Sequence, residues 1–195
     1  MYAVQVITCV CYTPPMNSLH IYWSRRDFRV HDNKALSGAV AGCADGAGQL
    51  LPVFVLENYM TRADSDSQFG YPSRYMIAHA VPKFAEQFQV FVAIRGKGAQ
   101  SLIRLAQQLV SEFESITIHV NEDVYSDFTK QVAKIKRAGI AIQVYQDRLT
   151  VPYDTVTVQG NVYSVFTPFR NAVWGGFVNA TVAKKPNLDA VEYLS

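Results

Sequence analysis

Short apolar runs alternate with helix-patterned stretches from residue 19 to residue 145, and this alternation constrains the fold more than any other feature of the chain. Residues 19–23 (LHIYW), 50–56 (LLPVFVL), 90–94 (VFVAI), 116–120 (ITIHV) and 140–145 (IAIQVY) are rich in Val, Ile and aromatic residues. Each is short and almost continuously apolar, the pattern of a strand buried on both faces. Pro52 lies near the start of the second run, where a missing N–H is tolerated.

The intervening stretches carry helical signals. Asp32 is placed to cap a helix through Ala35, Leu36, Ala39 and Val40 that ends at Gly42. Ser73 is placed to cap a second over residues 74–89, with Pro82 as an interior kink or break. Over residues 101–113, Leu102, Leu105, Ala106 and Leu109 recur at 3-4 spacing as an amphipathic stripe. Over residues 125–138, Phe128, Val132 and Ile135 share one face and Lys130, Lys134 and Arg137 another, with Gly139 as the terminating glycine. Five strands separated by four helices require right-handed crossovers. The expected fold class is therefore α/β: a doubly wound, five-stranded parallel sheet with helices on both faces, Rossmann-like.

After Asp147 the pattern changes. Residues 148–163 alternate Thr and Val around a Gly160-Asn161 turn and read as extended chain with a hairpin-like loop. A short helix follows from about Pro168, a favoured first helical position, to about Val178. At the other end, residues 1–15 (MYAVQVITCVCYTPP) are apolar, but no Lys or Arg precedes Arg25, so the charged region of a signal peptide is missing. They are expected to be a tail or a start-site artefact ahead of Met16. No stretch approaches the roughly 18 apolar residues of a membrane span, so no membrane partner is expected and the location is expected to be cytoplasmic. Cys9, Cys11 and Cys43 have no metal-ligand spacing and read as reduced thiols. The net charge of +2 is too small to argue for nucleic acid by itself.

In open parallel sheets, ligands bind beyond the carboxyl ends of strands where the strand order reverses. If the first and fourth strands flank that point, the facing loops are residues 24–32 (SRRDFRVHD) and 121–127 (NEDVYSD), the most polar joints of the domain. The candidate ligand-binding residues are Arg25, Arg26, Asp27, Arg29, Asn121 and Asp123. Three arginines around an aspartate suit either an ion-pair network, with Asp27 and Asp32 pairing the arginines, or an anionic ligand. No phosphate-cradling glycine signature follows any strand, and Gly96-Lys97-Gly98 reads as a strand-to-helix turn.

Two segments resemble a known family. The run Trp23-Ser24-Arg25-Arg26-Asp27-Phe28-Arg29-Val30-His31-Asp32-Asn33-Lys34-Ala35-Leu36 is similar to the opening W-F-R-R-D-L-R-x-x-D-N-x-A-L signature of DNA photolyases and cryptochromes. The run from Tyr163 through Val165-Phe166-Thr167-Pro168-Phe169 to Trp174 resembles the family's Y-x-V-F-T-P-F-x-x-x-W segment. The resemblance covers about residues 18–178 and implies three parts. These are a tail over 1–15, a photolyase-type α/β domain over 16–147, and an extension over 148–195 leading toward a helical domain that binds FAD and damaged DNA. The α/β domain would hold an antenna chromophore, in different members a deazaflavin, a flavin or a folate. Folate is the least supported, because the Asn-Glu pair of folate-binding members falls on Asp127-Phe128.

The resemblance also implies that catalytic residues lie in the helical domain and that DNA is a partner only of the full-length enzyme. The chain alone is then expected not to repair DNA. Tyr163, Phe166, Phe169, Trp174 and Phe177 would form a docking surface for the helical domain, with self-association of the isolated chain as the consequence. The alternatives are a stand-alone nucleotide- or partner-binding α/β module, or a cryptochrome fragment with a signalling role.

Overall fold

Five strands run parallel in one sheet: β1 (Ser18–Ser24), β2 (Gly48–Glu57), β3 (Val92–Gly96), β4 (Ser115–Asn121) and β5 (Ala141–Tyr145). Their spatial order is β3-β2-β1-β4-β5. The chain builds outward from β1 through β2 to β3, then crosses back to place β4 on the other side of β1. The order therefore reverses between β1 and β4. The computed structural model describes residues 18–46, 48–61, 70–123, 126–147, 157–158, 161–178 and 182–194. The predicted tail over 1–15 lies outside them, with Cys9 and Cys11.

The crossovers are α1 (Lys34–Gly42), α3 (Tyr71–Ala85), α4 (Gly98–Leu109) and α5 (Ser126–Arg137), with a single turn, α2 (Asn58–Thr61), after β2. Because successive strand residues point to opposite faces, β1 feeds two cores. Leu19, Ile21 and Trp23 pack under α4 and α5 with Leu102, Phe128 and Ile135. Tyr22 packs on the other face with Leu36 and Ala39 of α1, Phe84 at the end of α3 and Phe88 just beyond it. Each fully buried Leu or Ile contributes roughly 1.5–3 kcal/mol of transfer free energy, so these central strands anchor the fold. Among the described residues no helix is long and apolar enough to cross a membrane.

Three helix starts differ from expectation. The cap of α1 is Asn33, whose side chain accepts the Leu36 N–H at 3.0 Å. Asp32 is diverted: at φ 47° it accepts the Ala183 N–H on its carboxylate at 2.9 Å and gives its own N–H to the Ala183 carbonyl. The second helix starts at Tyr71 after Gly70, with Ser73 inside its first turn, because Pro72 is pre-set for an opening turn. It continues past Pro82 to Ala85. The third starts at Gly98, three residues early, because Gln131 of α5 supplies the missing cap by accepting the Ala99 N–H at 3.2 Å. Gly139 does terminate α5, at φ 78°. Gly96 ends β3 and Gly98 begins α4, as a strand-to-helix turn requires.

Beyond Asp147, β6 (Thr157–Val158) and β7 (Asn161–Val162) pair antiparallel, and α6 spans Phe166–Val178. Residues 182–194 then return to the α/β body as a strap. Leu50 N–H donates to the Glu192 carbonyl at 2.8 Å and Leu194 N–H to the Leu50 carbonyl at 3.2 Å. Leu188, Val191 and Tyr193 are buried in the core beside α1. The strap occupies the stretch of β2 ahead of the residues that β3 pairs, 53–57.

Candidate functional site

The reversal between β1 and β4 brings the loops after those two strands side by side. A single buried polar hub fixes them. Tyr22, at the end of β1, donates its hydroxyl to Asp27 at 2.9 Å. Asn33 donates to that hydroxyl at 2.8 Å, and Asn121, the last residue of β4, donates to Asp27 at 2.6 Å and to Asn33 at 2.9 Å. Asn121 also accepts the Ala35 N–H at 3.0 Å, which ties β4 to the first turn of α1. Burial, with the Asp27 carboxylate beside it, holds the Tyr22 phenol well above the usual tyrosine range. The proton therefore stays on Tyr22, which acts in the hub as a fixed donor to Asp27.

Above the hub opens a cleft of about 250 Å³. Arg25, Arg26, Asp27 and Arg29 line one wall, and Asn121, Glu122, Asp123 and Asp147 the other. All six residues singled out from the sequence meet there. Glu122 and Asp147 complete the lining; Asp147 was findable from its place just past the carboxyl end of β5.

Among the described residues the arginines form none of the ion pairs with the Asp27 or Asp32 carboxylates that the ion-pair alternative supposed, although Arg29 Nε donates to the Asp32 backbone carbonyl at 2.9 Å. Arg25 and Arg26 approach Asp123 at 3.4 and 3.7 Å, and Arg29 approaches Asp147 at 2.5 Å. Asp27 is taken by neutral donors and the Arg25 backbone N–H at 3.0 Å. Asp32 faces the strap. Crossing the reversal point lets each basic side chain reach the acidic loop opposite, a pairing that sequence proximity does not show. Asp147 is raised above the usual aspartate range by burial, with Arg29 opposing.

Arg25 is the most constrained of the three. It is 8 % exposed, with its guanidinium 4.7 Å from the Trp23 ring and 5.3 Å from the Phe128 ring. Its Nε is buried with no hydrogen-bond partner among the described residues. Asp127 and Phe128, where the folate-type pair would fall, are used otherwise: Asp127 accepts from Gln131 and Phe128 is buried in the core. His31 is exposed and does not line the cleft, and Cys43 is buried with its thiol pushed up to about 12 by desolvation, which leaves it unreactive. Among the described residues no group of His, Cys, Asp and Glu is arranged to hold a metal.

Comparison with known proteins agrees with this architecture. A deoxyribodipyrimidine photo-lyase of Synechococcus is 29 % identical over 159 residues, covering 76 % of this chain and 30 % of the relative. That of Escherichia coli is 23 % identical over 171 residues, covering 78 % and 33 %. The chain thus spans about a third of the length of these relatives. Among solved structures, a class III photolyase from Agrobacterium tumefaciens superposes with a TM-score of 0.72 at 19 % identity, over 91 % of this chain and 36 % of that one. A Synechocystis cryptochrome gives 0.71 at 18 %, over 87 % and 36 %. The fold is that of their N-terminal α/β domains. A family model for DNA photolyase matches residues 20–186, spanning both signature segments, most of β1 and the whole of β2 to β5, and the chain belongs to the DNA photolyase family.

Proposed function

We propose that the chain is the antenna-type domain of a photolyase and that the cleft between the β1 and β4 loops holds a planar chromophore. The observation that carries this reading is the convergence of two loops, far apart in sequence, on one cleft at the strand-order reversal. Bound there, the chromophore would collect near-UV or blue light. The chain's own part is to orient the ring and exclude water from it.

Charge and size narrow the ligand. Three arginines face four carboxylates (Asp27, Glu122, Asp123 and Asp147), and each guanidinium already approaches one of them. A phosphate would meet no spare cation and would be repelled. The volume falls below the ~300–1,000 Å³ of drug-sized ligand pockets, enough for one ring system but not for a dinucleotide. A deazaflavin without phosphates fits best, with the buried Arg25 Nε–H as a donor for a ring carbonyl. FMN fits less well, and folate least. Light-dependent repair of pyrimidine dimers in DNA belongs to the full-length enzyme, whose helical domain would hold FAD and dock on residues 163–177.

The test is a titration of the purified chain with a phosphate-free deazaflavin, riboflavin, FMN and a reduced folate, followed by absorbance and fluorescence. The phosphate-free ligands are expected to bind at least about tenfold tighter than FMN, a difference of ~1.4 kcal/mol. Arg26→Glu and Asp123→Lys should each weaken that binding. Tighter binding of FMN, or affinities indifferent to both substitutions, would place the site elsewhere.

A further inference from the structure

A chain of polar side chains crosses the sheet beneath α1, away from the cleft. Ser18 Oγ lies 3.0 Å from His20 Nε2, and His20 Nδ1 lies 2.9 Å from His119 Nε2. His119 Nδ1 lies 2.9 Å from the Tyr145 hydroxyl, which donates to Gln143 Oε1 at 2.6 Å. One consistent set of proton positions satisfies the row, with Gln143 Oε1 as the terminal acceptor. With its proton committed to Gln143, Tyr145 accepts from His119 Nδ1–H, so His119 Nε2 is bare and accepts from His20 Nδ1–H. His20 Nε2 then accepts from the Ser18 hydroxyl. Both imidazoles are neutral and every proton points the same way along the row.

Helix α1 rests directly on this row through two glycines one turn apart. A Cβ at Gly38 would come within 2.1 Å of the Tyr145 hydroxyl oxygen, and one at Gly42 within 2.2 Å of His20 Cε1. Residues four apart lie on one helix face, so the bare backbone of α1 closes over the row. At its other end the same helix presents the Ala35 N–H to Asn121 and the Lys34 N–H to Asp147.

We propose that the Ser18–His20–His119–Tyr145 row is an acid-sensitive latch, which seats α1 while His119 is neutral and unseats it when His119 takes a second proton. The first proton goes to His20 Nε2, where Ser18 Oγ and the Gly42 carbonyl accept it; the next goes to His119 Nε2, where the His20 Nδ1–H already points from 2.9 Å away. Donor would then face donor. The groups that face the pair are Ser18 on β1, Tyr145 and Gln143 on β5, and the Gly42 carbonyl on α1, and none of them carries a charge to offset the new one. Burial, with the neighbouring His20 adding to it, holds His119 down to about 4, and burial also holds His20 below the usual histidine value. An unfolded His119 binds its proton near 6.5. The folded state therefore binds fewer protons between about 6.5 and 4. The latch is intact above that window and weakens as pH falls through it, by about tenfold in the folding equilibrium constant per pH unit. None of this depends on what the cleft binds.

The experiment compares wild type with His119→Gln and His20→Gln by urea denaturation from pH 7 to pH 4. Wild type should lose about two orders of magnitude more in folding equilibrium constant than His119→Gln across that range. Parallel curves would overturn the latch. Should either variant fail to fold, wild type alone decides the matter, through NMR titration of its histidine rings beside hydrogen-exchange protection factors along α1. Loss of α1 protection in step with the His119 titration supports the proposal. Protonation of His119 with α1 still protected refutes it.

Discussion

Helices α4 and α6 are nearly equal in length and both apolar-rich, yet they treat that content in opposite ways. On α4, Leu102 and Ala106 are 0 % and 3 % exposed, while Arg104, Gln107 and Gln108 face outward. On α6, Phe166 is 71 % exposed and Trp174 54 %, and Phe169 finds ring contacts only with Phe166 and Tyr163 of its own segment among the described residues. The difference is one of arrangement. The apolar residues of α4 form a single stripe that one sheet face can cover. Those of α6 are spread around the helix, the pattern of a helix buried on several sides. One sheet cannot supply that cover, which is the physical support for reading α6 as a surface made for a second domain.

The largest test of this contrast is a pair of truncations. Leu102→Ala should cost about 2–5 kcal/mol, read from urea denaturation at pH 7, while Phe166→Ala should stay within about 0.5 kcal/mol. Comparable losses would mean that α6 is packed in solution after all. A smaller effect sharpens the contrast at the cleft end of the body. Asn33→Ala removes both the cap of α1 and a member of the buried hub, and should cost about 0.5–2 kcal/mol. Asn33→Asp restores the cap acceptor but places a carboxylate beside Asp27, so it should recover less than the cap alone would. Full recovery would assign the whole effect to capping. The smallest effect on stability should come from Phe166→Ser combined with Trp174→Ser, within about 0.5 kcal/mol, together with a clear fall in self-association. Light scattering over a concentration series checks this, and a wild-type chain that stays monomeric throughout would show that α6 needs no cover.

The strand pattern was readable because the central strands β1 and β2 are buried on both faces and announce themselves without periodicity, whereas the edge strands β3 and β5 are half-buried to exposed and were legible only from their apolar, β-branched content. The site was readable in outline, since the loops after β1 and β4 are strongly polar joints at strand ends, one basic and one acidic. Its pairing was not. That the Arg29 guanidinium would pair with the carboxylate of Asp147 rather than that of Asp32, whose backbone carbonyl it bonds, depends on β4 and β5 lying on the far side of β1, a fact of topology and not of neighbouring residues. The same holds for the histidine row. His20 and His119 each look like an isolated polar residue in a strand, and only the β1–β4 register makes them partners. The cap at Asn33 was missed by one residue, because Asp32 is an equally good cap by type and its true partner, Ala183, lies in a strap with no sequence pattern of its own.

That strap bears on the order in which the fold can be completed. Gln49 bonds Glu192 across 143 residues, and Tyr193 bridges Leu50 beside it. Closing a loop of that size adds entropy only logarithmically, but it makes the contact wait until Glu192 and Tyr193 have been made. Synthesis at about 5–20 residues per second leaves the open stretch of β2 without this partner for several seconds after its own residues have emerged. An unpaired strand edge invites pairing with other chains. During that interval the nascent domain is most exposed to misassembly, and the strap works as a late-arriving cover for an edge that the rest of the sheet does not protect.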